Sequence, residues 1–89
     1  MIKQEFIIQN KVGLHARPAA VFVQTANKFK SNIFVEKDGK KVSAKSILGV
    51  LSLGAEKGAI ISVEIEGEDK EEAMKAIGEL IANKFGDEE

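Results

Sequence analysis

The chain has no cysteine, tryptophan or tyrosine, and only one proline and one histidine. Without cysteine there is no disulfide, no thiolate ligand and no thiol nucleophile. A single histidine without thiols gives too few matched ligands for a transition-metal site, so neither a metal nor a cofactor is expected. The apolar runs fall far short of the roughly 20 residues that cross a bilayer. The N-terminus also lacks the charged and then apolar pattern of a secretory signal, so the expectation is a cytoplasmic chain with no membrane insertion. Neither sign of charge is in excess: 13 basic residues against 14 acidic ones leave a net charge of -1. That balance offers no basic surface for phosphates, and the strands lack a convincing pair of stacking aromatics, so direct nucleic-acid binding is not expected.

What is present suits one soluble globular domain over residues 1–89, with 44% hydrophobic and 30% charged residues. Ile2 to Gln9 reads as a strand with Ile2, Phe6 and Ile8 inward and Lys3, Glu5 and Gln9 outward, an alternation that Ile7 spoils. Ala19, Phe22, Val23, Ala26 and Phe29 recur at three- and four-residue steps, which predicts a helix over about Ala16 to Lys28 with Pro18 in its first turn. Strands are predicted over Asn32 to Lys37 and Lys40 to Ser43, joined by the hairpin signal Asp38-Gly39. Ser46 reads as the N-cap of a short helix from Ile47 to Leu53, stopped by Gly54. Ala59 to Glu66 alternates most clearly, with Ile61, Val63 and Ile65 inward. Asp69 and Glu72 resemble a capping box for a last helix whose buried stripe is Ala73, Met74, Ile77, Leu80 and Ile81, ending at Gly86. Gly78 inside it implies a close packing contact, and the tail Asp87-Glu88-Glu89 is expected to fray. The order βαββαβα implies an α+β open-faced β-sandwich, a four-stranded antiparallel sheet with three helices on one face.

The short helix carries apolar residues on two sides. Val50 and Leu53 share one, while Ile47, Leu48 and Leu51 lie nearly opposite. Only one side can face the core of so small a domain. The other is either covered by a loop or forms an exposed patch of the kind that marks a partner surface. His15 falls where strand and loop become the first helix. A helix start offers free N–H groups and a partial positive charge to an anion. An imidazole nitrogen is a good nucleophile near neutral pH and could take a phosphoryl group. That group would sit over the N–H groups of Ala16 and Arg17, with the Arg17 guanidinium folding back onto its oxygens. The residues alone leave open whether His15 reacts or merely covers the helix start. There is no Gly-rich nucleotide loop, and no general base stands out beside His15. The chain therefore reads as an acceptor that depends on another protein's active site, not as an independent enzyme.

The stretch Gly13-Leu14-His15-Ala16-Arg17-Pro18-Ala19, followed by Lys45-Ser46-Ile47-Leu48-Gly49-Val50-Leu51-Ser52-Leu53-Gly54, resembles the HPr family. These are the histidine-containing phosphocarriers of the bacterial phosphoenolpyruvate:sugar phosphotransferase system. The resemblance covers essentially the whole chain and implies an open-faced β-sandwich. It implies that His15 takes a phosphoryl group on Nδ1 from phosphorylated enzyme I and passes it to the IIA domains of sugar permeases, with Arg17 stabilising the group. It assigns partner docking to Ile47, Leu48 and Leu51, with Ala20 and Gln24 beside them, on a monomer. Ser46 matches the serine that an HPr kinase/phosphorylase modifies in Gram-positive-type members, whose product binds a catabolite control repressor. Gly49 and Gln24 resemble that type, although some members carry the serine without the kinase. The alternative is a regulatory HPr-like co-repressor that acts through phosphorylated Ser46 and carries no phosphate on histidine; in such proteins the histidine is replaced, whereas His15 is present here. Leu48 and Leu51 stand where many relatives have methionine, which keeps the surface apolar but less adaptable.

Overall fold

Each segment with two-residue periodicity joins one antiparallel sheet. The computed structural model describes residues 1–86. In it β1 (Ile2–Ile7), β2 (Asn32–Lys37), β3 (Lys40–Ser43) and β4 (Ile60–Glu66) lie in the order β1-β4-β2-β3. β4 is an inner strand, and its Ile61, Val63 and Ile65 are fully buried. The turn between β2 and β3 has φ of +52° at Asp38 and +83° at Gly39. Positive φ at both positions suits the right-handed twist of the strands it joins, as the Asp-Gly pair predicts.

Three helices cover one face: α1 (Ala16–Ala26), α2 (Ile47–Ser52) and α3 (Lys70–Ala82). Ala19 and Phe22 of α1, Val50 of α2, and Ala73 and Ile77 of α3 are buried against the sheet's inward residues. On the opposite face Glu64 meets Lys41 at 2.5 Å and Lys3 at 3.8 Å. The expected open-faced arrangement is thus the observed one.

Several ends differ from their sequence expectation. β1 stops at Ile7, not Gln9, because the backbone of Ile8 pairs with the loop before β4: its N–H donates to Ala59 O (2.9 Å) and its carbonyl accepts from Gly58 N (2.8 Å). α1 stops at Ala26, two residues before Lys28, where the Asn27 side chain donates to the Val23 carbonyl at 2.9 Å and satisfies one of the last-turn acceptors. α2 ends at Ser52, one residue early, with Gly54 at φ +59° just beyond.

α3 differs more. Asp69 occupies its N-cap position, but the side chain makes no bond to the helix, so the capping box does not form. The carboxylate turns instead to the α1–β2 connection, accepting the N–H groups of Lys30 and Ser31 (both 2.9 Å) and the Ser31 hydroxyl (2.5 Å). The hydroxyl bond and then the backbone bonds pull its pKa down to about 2. The helix ends at Ala82, not Gly86. Lys84 and Phe85 then adopt left-handed φ of +54° and +57°. This turn sends Phe85 back into the core, edge-on to Phe22 with ring centroids 6.3 Å apart. Gly78 faces the Phe6 ring, but an added Cβ would lie 3.4 Å from it, an ordinary packing distance, so the contact does not demand the glycine expected there. The tail Asp87-Glu88-Glu89 lies outside the described residues.

Candidate functional site

The loop after β1 decides how His15 is presented. Leu14 is fully buried and its N–H donates to Ala55 O at 2.8 Å. Gly13, at φ +68°, presses against the same neighbour so closely that an added Cβ would lie 2.3 Å from Ala55 O and 2.7 Å from Glu56 Cα. Only glycine permits both the conformation and the approach. His15 follows in an extended conformation (φ -115°, ψ 160°), exposed, at the N-cap of α1.

The helix start is open in three respects. The His15 side chain makes no cap bond. The usual donor to such a cap is the N–H at the third helical position, and here that position is Pro18, which has none. Ala16 and Arg17 are exposed, and their N–H groups have no helix carbonyl upstream to bind. No acidic residue occupies the first turn, so the positive end of the helix and the Arg17 guanidinium stand without a local counter-charge in that turn. Ala16 itself has φ +34°, an uncommon value for a residue with a Cβ. The structure therefore brings His15, Ala16 and Arg17 together at one accessible point.

Ser46 is arranged differently. Its Oγ accepts the Gly49 N–H at 3.1 Å, an ordinary cap of α2. Gly49 also lets α2 lie close on β3, since an added Cβ would meet Val42 Cβ at 3.2 Å. With Val50 facing in, Ile47, Leu48 and Leu51 remain 39%, 77% and 37% exposed. Among the described residues no loop covers them, so the patch read from periodicity is exposed. On α1, Gln24 is exposed and Ala20 partly so.

The relation of the two helices places these groups. The Asn27 side chain at the end of α1 also donates to Lys45 O (3.4 Å), and Lys45 Nζ donates to Phe29 O (2.8 Å). α2 therefore starts beside the end of α1, and the chain leaving α2 returns to the His15 loop through Ala55. Ser46 is separated from His15 by about the length of α1, roughly 16 Å. The structure unites the histidine with Arg17 and the patch with α2, and it does not bring Ser46 to the histidine.

Sequence reasoning passed over Asn10. It is fully buried, its Nδ2 donating to Gly13 O at 2.7 Å and its carbonyl accepting Gly13 N at 3.2 Å. The Asn-x-x-Gly spacing is a turn signal, but nothing in it announces burial. Val12 and Ile60 are exposed apolar residues near this loop and at the sheet end that were likewise not anticipated, and Ile7, which breaks the β1 alternation, is exposed opposite Ile60. Among the described residues no group of three or more metal-ligating side chains converges, and no helix is long and apolar enough to cross a membrane.

A family model described as "PTS HPr component phosphorylation site" matches residues 2–83. The chain belongs to the HPr family. It is 48% identical over 88 residues to the phosphocarrier protein HPr of Xylella fastidiosa (strain 9a5c), covering 99% of each chain. It is 53% identical over 77 residues to the HPr-like protein Crh of Halalkalibacterium halodurans, covering 86% of this chain and 92% of that one. The crystal structure of HPr-C-His from Thermoanaerobacter tengcongensis superimposes with a TM-score of 0.96 at 57% identity over the whole of both chains. A crystal structure of an HPr dimer from the same organism gives 0.79 at 57% identity, over 98% of this chain and 100% of that one. The fold is that of HPr structures, and the family places the chain among phosphocarriers of the phosphotransferase system and their catabolite-repression relatives. With a dimer among these neighbours, family membership does not imply the monomer that was expected.

Proposed function

We propose that this domain, residues 1–89, is a carrier that accepts a phosphoryl group on His15 from phosphorylated enzyme I and passes it to IIA domains of sugar permeases. The observation that carries the reading is the exposed, uncapped start of α1 at the chain's only histidine, with Arg17 two residues on. In the transfer, the lone pair of the imidazole Nδ1 attacks the donor's phosphorus. The new N–P bond forms as the donor's bond to phosphorus breaks, and the other ring nitrogen keeps its proton, so no base is required. The amides of Ala16 and Arg17 and the Arg17 guanidinium receive the oxygens without enclosing them, which suits a group that must leave again. The domain supplies the nucleophile, and its partners supply the catalytic machinery. Ile47, Leu48 and Leu51, with Ala20 and Gln24, form the docking surface.

Incubation with enzyme I and phosphoenolpyruvate should add one acid-labile phosphate, and His15→Ala should abolish it. Normal labelling of the variant would overturn the assignment. The co-repressor alternative, which 53% identity to a Crh protein keeps in view, requires that the wild-type chain take no phosphate on His15.

Ser46 is the regulatory site in this reading, a substrate of an HPr kinase/phosphorylase whose product engages a catabolite control repressor. A phosphate there would be tolerated by the helix start and would set negative charge beside the apolar patch, hindering enzyme I. Ser46→Asp should therefore slow transfer from enzyme I while circular dichroism stays that of the wild type; unchanged kinetics would remove the electrostatic block. The setting is the cytoplasm, and the domain works as a monomer.

A further inference from the structure

Asn10 is one of two buried polar residues among those described, and the other, Ser31, has a partner for its hydroxyl in Asp69. Asn10 is only half satisfied. Its Nδ2 donates to Gly13 O, and that bond fixes which way round the carboxamide lies, since an oxygen there would face the carbonyl. The Oδ1 on the other side is buried and meets no donor from the described residues. A buried acceptor without a protein donor carries a desolvation cost. The unpaired Oδ1 thus offsets part of what the Nδ2 bond contributes to stability.

Its effect is on geometry. Together with Gly13 N–H to Asn10 O, the side-chain bond closes the 10–13 turn from both directions. The turn delivers Gly13 to the backbone of Ala55 and Glu56, and Leu14 N–H to Ala55 O. His15 is the next residue, and its own side chain is held by no cap bond. The direction of the His15 Cα–Cβ bond is thus set by the turn behind it. An error of about 1 Å in such a vector can cost up to about a hundredfold in rate.

We propose that Asn10 is a positioning residue for phosphoryl transfer at His15, acting through the turn it closes and not by contact with the reacting atoms; this rests on the carrier function proposed above. The test uses the full chain with Asn10→Leu, which keeps the side-chain shape while deleting both the bond and the unpaired acceptor, and Asn10→Ala, which cannot overpack if the leucine variant fails to fold. Phosphorylation by enzyme I should show kcat lowered by about tenfold with KM unchanged, because the α2 docking surface is untouched. Amide exchange at Gly13 should speed up while β4 exchanges at the wild-type rate. Wild-type kcat in either folded variant overturns the proposal, as does loss of stability in both with kcat preserved. If the wild-type chain itself takes no phosphate, the carrier reading fails; wild-type Gly13 exchange in the variants would then separately show that Asn10 does not hold the turn.

Discussion

The starts of α1 and α2 use the same position in opposite ways. At α2, Ser46 turns its hydroxyl onto its own helix and closes the donor at Gly49. At α1, the His15 side chain gives the helix nothing, and Pro18 removes the donor a cap most often uses. A capped start is stable and chemically quiet, whereas an uncapped one keeps its donors for something outside the chain. The start of α3 is a third case, in which Asp69 stands in the cap position and serves another segment altogether. Residue type at an N-cap shows what could be bonded, and the surrounding geometry decides what is.

The largest expected break in this comparison is Gly13→Ala. The left-handed φ and the clash with Ala55 O add, and the variant should lose about 3 kcal/mol or more in denaturant unfolding. It should also disorder the presentation of His15, leaving α2 with its cap. Acid comes next and tests the third helix start. Because the Asp69 pKa is lowered from 3.8 to about 2, its contribution to stability is complete above the unfolded value and is lost as pH falls from about 4 through about 2. The stability difference between wild type and Asp69→Asn should therefore be largest at pH 5 to 7 and shrink toward pH 2. The smallest effects come from a matched pair. Ser46→Ala should cost about 1 kcal/mol, while His15→Ser should change stability by less than about 0.5 kcal/mol, since Pro18 offers its hydroxyl no N–H and leaves only that of Arg17. A clear gain in His15→Ser would show that α1 is not intrinsically uncappable.

How far this could be read from sequence follows the distance between partners. The β4 alternation, the Asp38-Gly39 turn, the Ser46 cap and the two-sided α2 are decided within a few residues, and each was legible. The ends of β1 and α3 were not. Ile8 leaves the ladder because Gly58 and Ala59 claim its backbone, and Phe85 returns to Phe22 through two left-handed residues that no local preference favours. Asp69 has every mark of a capping residue, yet the segment around Ser31 competes for its carboxylate from more than 30 positions away. At the site, His15 and Arg17 stood out by type and place. Asn10 did not, because its meaning lies in being buried, and its sequence neighbours Gln9 and Lys11 are exposed.

The Phe22–Phe85 contact joins the middle of α1 to the turn that follows α3. The middle of the helix that begins after His15 is held from behind by the Lys84–Gly86 turn, so the two should open together as one cooperative unit. In the carrier function proposed above, an encounter that pulls on the histidine would be resisted by a segment remote in sequence, and the helix behind the histidine would not work loose as larger proteins handle it repeatedly.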